Sequence, residues 1–218
     1  MINLSINSLQ KPLRLLCLGA HSDDIEIGCG ATILDLLNKN PNAEVWWIVF
    51  SANEKRRHEA IRSAKYFLRN ASEKRIIIKD FRESYFPYNG DKIKNYFEEL
   101  KDNYDPNIIF SHYRNDLHQD HNLICQLTYN TFRDHLILEY EIIKYDGDFG
   151  NPNIFVPLNV KTIDSKIGAI IKYFKSQKSR QWFSEDIFYS ISKLRGIEIN
   201  AESGYAESFY CRKMSFAY

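Results

Sequence analysis

Leu13-Arg14-Leu15-Leu16-Cys17-Leu18-Gly19-Ala20-His21-Ser22-Asp23-Asp24 joins an apolar run to a cluster of polar, metal-competent side chains. The run from Leu13 to Ala20 is short and shows no helical period, as expected of a strand buried on both faces of a parallel sheet. Directly after it come His21, Asp23 and Asp24, at the point where the chain turns toward a helix. Outward from this stretch, strand-like and helix-like segments alternate. Residues 32–40 read as helical and stop at Asn40-Pro41; 44–50 read as a second strand. Residues 54–69 place Ala60, Ile61, Ala64, Phe67 and Leu68 on one face of an amphipathic helix. A third strand over 75–81, a helix over 93–100, a fourth strand over 107–111, a helix over 122–133 and a strand over 137–144 follow. Such alternation predicts an α/β fold, a Rossmann-like three-layer α/β/α arrangement around a mostly parallel sheet.

After Asp146 the pattern changes. Residues 147–153 are rich in Gly, Asn, Asp and Pro and form a turn-rich loop. Helices are expected over 160–173 and 184–194, with a polar strand-like tail over 205–214. The reading is one domain over 1–218: an α/β core over 1–146, and a C-terminal helical and strand extension over 147–218 covering the sheet and pocket.

The chain has 218 residues, a formal net charge of +1, 44% hydrophobic and 26% charged residues. That balance fits a folded domain and excludes a disordered chain. It gives no general attraction to nucleic acid, and the basic run Lys55-Arg56-Arg57 falls in a segment of helical spacing, as a solvated face would. Cys17, Cys29, Cys125 and Cys211 form no Cys-x-x-Cys pair and read as free thiols in a reducing compartment. The apolar run before His21 is too short to span a membrane. Cleavage near Ala20 would separate it from His21, so no secretory leader is expected and the protein reads as cytoplasmic.

A second polar segment, Ser111-His112-Tyr113-Arg114-Asn115-Asp116-Leu117-His118-Gln119-Asp120-His121, follows the fourth strand and also opens a helix. In a sheet of order 3-2-1-4 the first and fourth strands are neighbours, and ligands bind beyond their carboxyl ends. The two segments are therefore expected to face one another across a single ion. Two imidazoles and one carboxylate, with a position left for water, suit a catalytic zinc; the same set can hold iron(II). Taken alone, Asp23 and Asp24 would read as helix caps.

Ala20-His21-Ser22-Asp23-Asp24 and His118-Gln119-Asp120-His121 together resemble the motifs of the PIG-L/LmbE-like N-acetylglucosaminyl deacetylases, and Tyr205-Ala206-Glu207 looks like a further element of that family. The resemblance covers roughly the first 150 residues. It implies metal ligation by His21, Asp24 and His121, with Asp23 as general base. It further implies His118 as the residue that stabilises the oxyanion and Asp120 as the carboxylate supporting the histidine; charge proximity to Asp120 is expected to keep His118 protonated. Ser22 stands where the family usually has proline, which removes no ligand. Asp116 stands where some relatives place a substrate-side tyrosine, which puts substrate contacts there in doubt. The activity implied is zinc-dependent hydrolysis of the N-acetyl amide of an amino sugar or its conjugate. Cleavage of another small amide, or a metal- or sugar-binding module without turnover, are the alternatives.

His112 is close enough to compete for the ion, although the resemblance gives it no role. His58 and His135 have no companions and read as surface histidines. Gly28 and Gly30 make no complete dinucleotide fingerprint and read as letting a helix N-terminus sit close to the sheet. Arg56, Asp80 and Arg82, near the ends of the second and third strands, are candidate substrate contacts. The aromatic residues are expected in the core and partly in sugar-stacking walls.

Overall fold

The structure is a computed structural model and describes residues 12–215. Five parallel strands, β1 (Arg14–Gly19), β2 (Glu44–Val49), β3 (Glu73–Ile78), β4 (Ile108–His112) and β5 (Leu136–Tyr140), form most of one sheet. Two further strands, β6 (Ile154–Pro157) and β7 (Ala206–Tyr210), extend it antiparallel, giving the order β3-β2-β1-β4-β5-β7-β6. The expected 3-2-1-4 core is present. The tail strand is β7, whereas β6 lies in a stretch read only as the approach to a helix.

Among the described residues six α-helices cover the sheet: α1 (Asp24–Lys39), α2 (Glu54–Phe67), α3 (Gly90–Asn103), α4 (Gln119–Thr131), α5 (Val160–Tyr173) and α6 (Glu185–Glu198). Because strand side chains alternate between faces, β1 divides itself between two cores. Leu15 and Cys17 join α1, α2 and α5 on one face, while Leu16 and Leu18 join α3 and α4 on the other. α2 buries Ala60, Ala64 and Phe67, the face expected from its period, and α3 buries Ile93, Tyr96, Phe97 and Leu100 at spacings of three and four. None of the helices is long and apolar enough to cross a membrane among the described residues. Cys17, Cys29, Cys125 and Cys211 are free.

α1 corrects the sequence reading. It begins at Asp24, not at Thr32, so Gly28 and Gly30 lie within the helix. Glycine weakens a helix interior, and here close packing requires it. A Cβ at Gly28 would stand 2.2 Å from the Tyr140 ring, and one at Gly30 would stand 2.6 Å from Phe67. The early start brings Asp23 and Asp24 into the helix entrance, directly over the end of β1.

Gly28→Ala is therefore expected to destabilise the protein by about 1–3 kcal/mol through overpacking against Tyr140. Gly90→Ala, with nothing within 4 Å of the added carbon, should be neutral or stabilising by up to about 1 kcal/mol. Urea unfolding of the two variants checks the contrast.

Candidate metal centre

Both polar segments open helices at the carboxyl end of adjacent strands. β1 ends at Gly19 and α1 begins at Asp24; β4 ends at His112 and α4 begins at Gln119. The β1–β4 pairing, with Cys17 opposite Phe110, brings the two connections side by side. Asp23 is the N-terminal cap position of α1, but its side chain makes no cap bond. The adjacent Asp24 turns back instead, and its Oδ2 accepts the His21 N–H at 2.6 Å.

Three atoms converge from these turns. His21 Nδ1 lies 3.1 Å from His121 Nε2, Asp24 Oδ2 lies 3.6 Å from His21 Nδ1, and His121 Nε2 lies 3.5 Å from Asp24 Oδ2. A tetrahedral ion with bonds of ~2.0–2.1 Å holds its ligand atoms about 3.3–3.4 Å apart, so the triangle has the size of a zinc site. All three residues are buried.

Two further carboxylates decide which ring nitrogens carry protons. His121 Nδ1 is 2.9 Å from Asp116 Oδ2, and His21 Nε2 is 3.2 Å from Asp120 Oδ2. Each imidazole gives its outer N–H to a carboxylate and turns its other nitrogen inward, the arrangement that orients metal-binding histidines. Two inward lone pairs and a carboxylate oxygen repel one another unless a cation lies between them. The donor set fits a divalent ion.

Without one, a proton serves. Burial disfavours the charged form of His21, but hydrogen bonds to Asp120 and Asp24 outweigh it and hold the ring protonated up to about 10. His121 moves the other way, down to about 4, through burial and then the neighbouring His112. Burial works against the Asp24 carboxylate as well, yet His121 and His112 keep it well below the usual range. Burial raises Asp23, and Arg56 only partly offsets this.

His112, the last residue of β4, proves central. Its Nε2 lies 2.9 Å from Ala20 N, 3.2 Å from Asp24 Oδ2 and 3.3 Å from the Tyr140 hydroxyl, and its ring stacks on His121 at 4.0 Å. Asp116 was readable only as a departure from the resemblance; here it braces His121 and is itself paired with Lys144 at 3.1 Å. Its position five residues before His121 was the available signal. Two overlapping groups of donors share His121: Asp24, His112 and His121, and His21, His118 and His121.

Asp120 corrects its expected role. Its carboxylate bonds His21 and the main-chain N–H groups of Ser84 (2.6 Å) and Phe86 (3.1 Å), and it makes no bond to His118. His118 instead accepts the Asp120 main-chain N–H at Nδ1 (3.2 Å). Partial burial, and then the charge on His21, push His118 below its ordinary value; Asp120 raises it by proximity, as expected, but does not outweigh them, so the ring is not kept protonated. Arg56 also differs from a free substrate contact: its guanidinium donates to Asp23 Oδ1 at 2.7 Å and lies 3.6 Å from Glu83. Asp80 is exposed and bridges through its backbone to Ser51, while Arg82 lies over the Tyr85 ring. Neither side chain meets the histidines. His58 is exposed and His135 pairs with Asp105, as surface histidines do.

A family model described as PIG-L: GlcNAc-PI de-N-acetylase matches residues 16–132, a span that contains both polar segments. The chain belongs to the PIG-L family. No curated protein sequence matches it. Among solved structures, this PIG-L chain is similar to N,N'-diacetylchitobiose deacetylase from Pyrococcus horikoshii, with TM-score 0.70 and 20% identity over 94% of this chain and 86% of that one. It is also similar to a 4-carboxy-2-hydroxymuconate hydratase from Pseudomonas putida, with TM-score 0.71 and 16% identity over 94% and 98%. A third likeness is to the zinc-inhibited form of a teicoplanin deacetylase, with TM-score 0.67 and 13% identity over 91% and 97%. At such identities the likeness is one of fold, shared by deacetylases and a hydratase alike.

The two histidines give the metal-free PIG-L chain a stability maximum. His21, raised from 6.5 to about 10, contributes stability that is complete below pH 6.5 and is lost as pH climbs through 10. His121, lowered from 6.5 to about 4, makes stability fall as pH drops from 6.5 toward 4. Urea unfolding in excess chelator should therefore give highest stability near pH 6.5. His21→Asn should flatten the alkaline limb and leave the acid limb in place.

Proposed function

We propose that the chain is a metal-dependent N-deacetylase that hydrolyses the acetamide of an amino sugar or amino-sugar conjugate. His21, Asp24 and His121 would hold the ion, and the triangle of their inward atoms, 3.1 to 3.6 Å on a side, is the observation that carries this reading. When bound, zinc would supply a water of lowered pKa, ~7, and polarise the amide carbonyl; iron(II) is the alternative for the same donor set.

The protein's own groups divide the proton traffic. Asp23 Oδ1 is held by Arg56, while its buried Oδ2 has no partner. With proton affinity raised by burial, Asp23 is suited to take a proton from the attacking water and pass it to the departing amine nitrogen. The carbonyl carbon gains the water oxygen, the C–N bond breaks, and acetate and free amine leave. His118 accepts at Nδ1, so its neutral ring carries the proton at Nε2, where it can donate to the carbonyl oxygen as charge builds there. Arg56 is assigned to orienting Asp23, not to direct recognition. Tyr85 and Tyr88, exposed beside the Ser84–Phe86 turn that Asp120 holds, form with Arg82 an aromatic rim suited to a sugar ring. Asp80, exposed two residues before Arg82 in the chain, stays a candidate contact for hydroxyl groups.

The grouping of His118 with His21 and His121 favours a second reading, a three-histidine site in which His118 is a ligand. The two separate cleanly. On the first, His118→Ala keeps one equivalent of metal and loses about 10²–10³ in kcat; on the second it loses the metal.

Acetate release from N-acetylglucosamine, diacetylchitobiose and a nucleotide-linked N-acetylglucosamine, measured in the zinc- and iron-loaded protein and after chelation, tests the activity. Asp23→Asn is expected to retain metal while losing about 10²–10⁴ in turnover. Full activity of that variant would remove Asp23 from the reaction, and no acetate from any of the sugars would remove the substrate class.

A further inference from the structure

Glu207 has no part in the reaction above, yet it is buried and reaches into α1. Its Oε1 accepts the Ala31 N–H at 3.0 Å and its Oε2 accepts the Thr32 N–H at 2.6 Å. Lys166 of α5, also buried, donates from Nζ to the Ile27 carbonyl at 2.6 Å and to Glu207 Oε1 at 2.6 Å. In a regular α-helix the Ala31 N–H bonds the Ile27 carbonyl. Here both ends of that one bond are held by an ion pair contributed from β7 and α5. Side chains that enter a helical ladder in this way set the local direction of the helix.

The turn so held directly follows the one that carries Asp24, with Asp23 at its cap. The same face of α1 is packed close as well, because Gly28, between Ala31 and Thr32 around the helix, lies against Tyr140, whose hydroxyl meets His112 beside Asp24. Cohesion alone does not call for the pair. α5 already places Ile163, Ile167 and Ile170 in the core it shares with α1, and burying a lysine with a glutamate is a poor source of stability once desolvation is counted. What the pair adds is direction: apolar contacts tolerate sliding and rotation, whereas four hydrogen bonds to and between these two side chains do not.

We infer that Lys166 and Glu207 are positioning residues for the ligand end of α1, fixing its height and rotation so that Asp23 and Asp24 meet His21 and His121. The inference rests on the proposed role of Asp24 as a metal ligand. It gives the C-terminal extension a part in the site although no residue of the pair touches the donor triangle.

The test compares wild type with Glu207→Gln and with the double variant Lys166→Met/Glu207→Leu, which removes both buried charges together. Cobalt(II) is the probe, because its visible absorption reports ligand geometry without turnover, and its affinity is measured by chelator competition. Folded variants are expected to bind cobalt about 10–100-fold more weakly with an altered spectrum, and their zinc forms to lose kcat by about tenfold or more with KM within about twofold. Wild-type affinity and spectrum in a folded variant would overturn the positioning role. Should the double variant not fold, Glu207→Gln decides by the same two readouts. Wild type that takes up no cobalt would remove the ligand assignment and this inference together; uptake by wild type, unchanged in the variants, removes this inference alone.

Discussion

Two imidazole nitrogens and a carboxylate oxygen, all buried, face one another at 3.1 to 3.6 Å, and the rest of the site follows from that crowding. In a low-dielectric interior such a set is repulsive unless a positive charge lies within it. Parallel pairing of β1 with β4 creates the crowding by ending both strands at the same rim. Asp116 and Asp120 sharpen it by accepting the outer protons of His121 and His21. A carboxylate behind each ring also raises the basicity of the inward nitrogen. The fold thus builds a place for a cation before any cation arrives.

Holding these acids together has its own electrostatic requirement. Asp23, Asp24, Asp116 and Asp120 are all buried, and none could remain ionised there without partners. Arg56 pairs with Asp23 and Lys144 with Asp116, while the N–H groups of Ser84 and Phe86 serve Asp120. Ser84 adopts a left-handed backbone, with φ of 65°, to present its N–H. That conformation is uncommon for a residue other than glycine, and the Asp120 bond accompanies it. The entrances of α1 and α4 add their positive helix ends to the same region.

Much of this was legible in the sequence. Periodicity marked β1 to β5 and most of the helices, the doubly wound topology that such alternation favours supplied the 3-2-1-4 order, and from that order the meeting of His21 and His121 followed. What stayed hidden depends on contacts between residues distant in the chain. The start of α1 was placed late because helical spacing was read only from Thr32, while Tyr140 against Gly28 and Phe67 against Gly30 become visible only in the fold. Asp120 was assigned to His118, its near neighbour in sequence, while the helix directs its carboxylate across to His21. Glu207 was visible as part of Tyr205-Ala206-Glu207, but its partner Lys166 lies 41 residues away and both bond a helix more than a hundred residues earlier, so their joint role was not legible. Arg56 looked available for substrate because its partner, Asp23, lies 33 residues away.

The adjacent aspartates show how one turn can make two different acids. Both are fully buried, so desolvation pushes each toward the neutral form. Asp24 points into the histidines, whose positive charge and hydrogen bonds reverse that push. Asp23 has one arginine on one oxygen and a bare second oxygen, and repulsion from Asp24 adds to its burial, so its proton affinity rises. Environments that drive neighbouring carboxyls apart define an ionised ligand on one side and a proton carrier on the other. The helix starts between them: Asp23 stands at the cap without a cap bond, and Asp24, the first helical residue, reaches back to the His21 N–H. The site therefore depends on where α1 begins as closely as on which residues it contains.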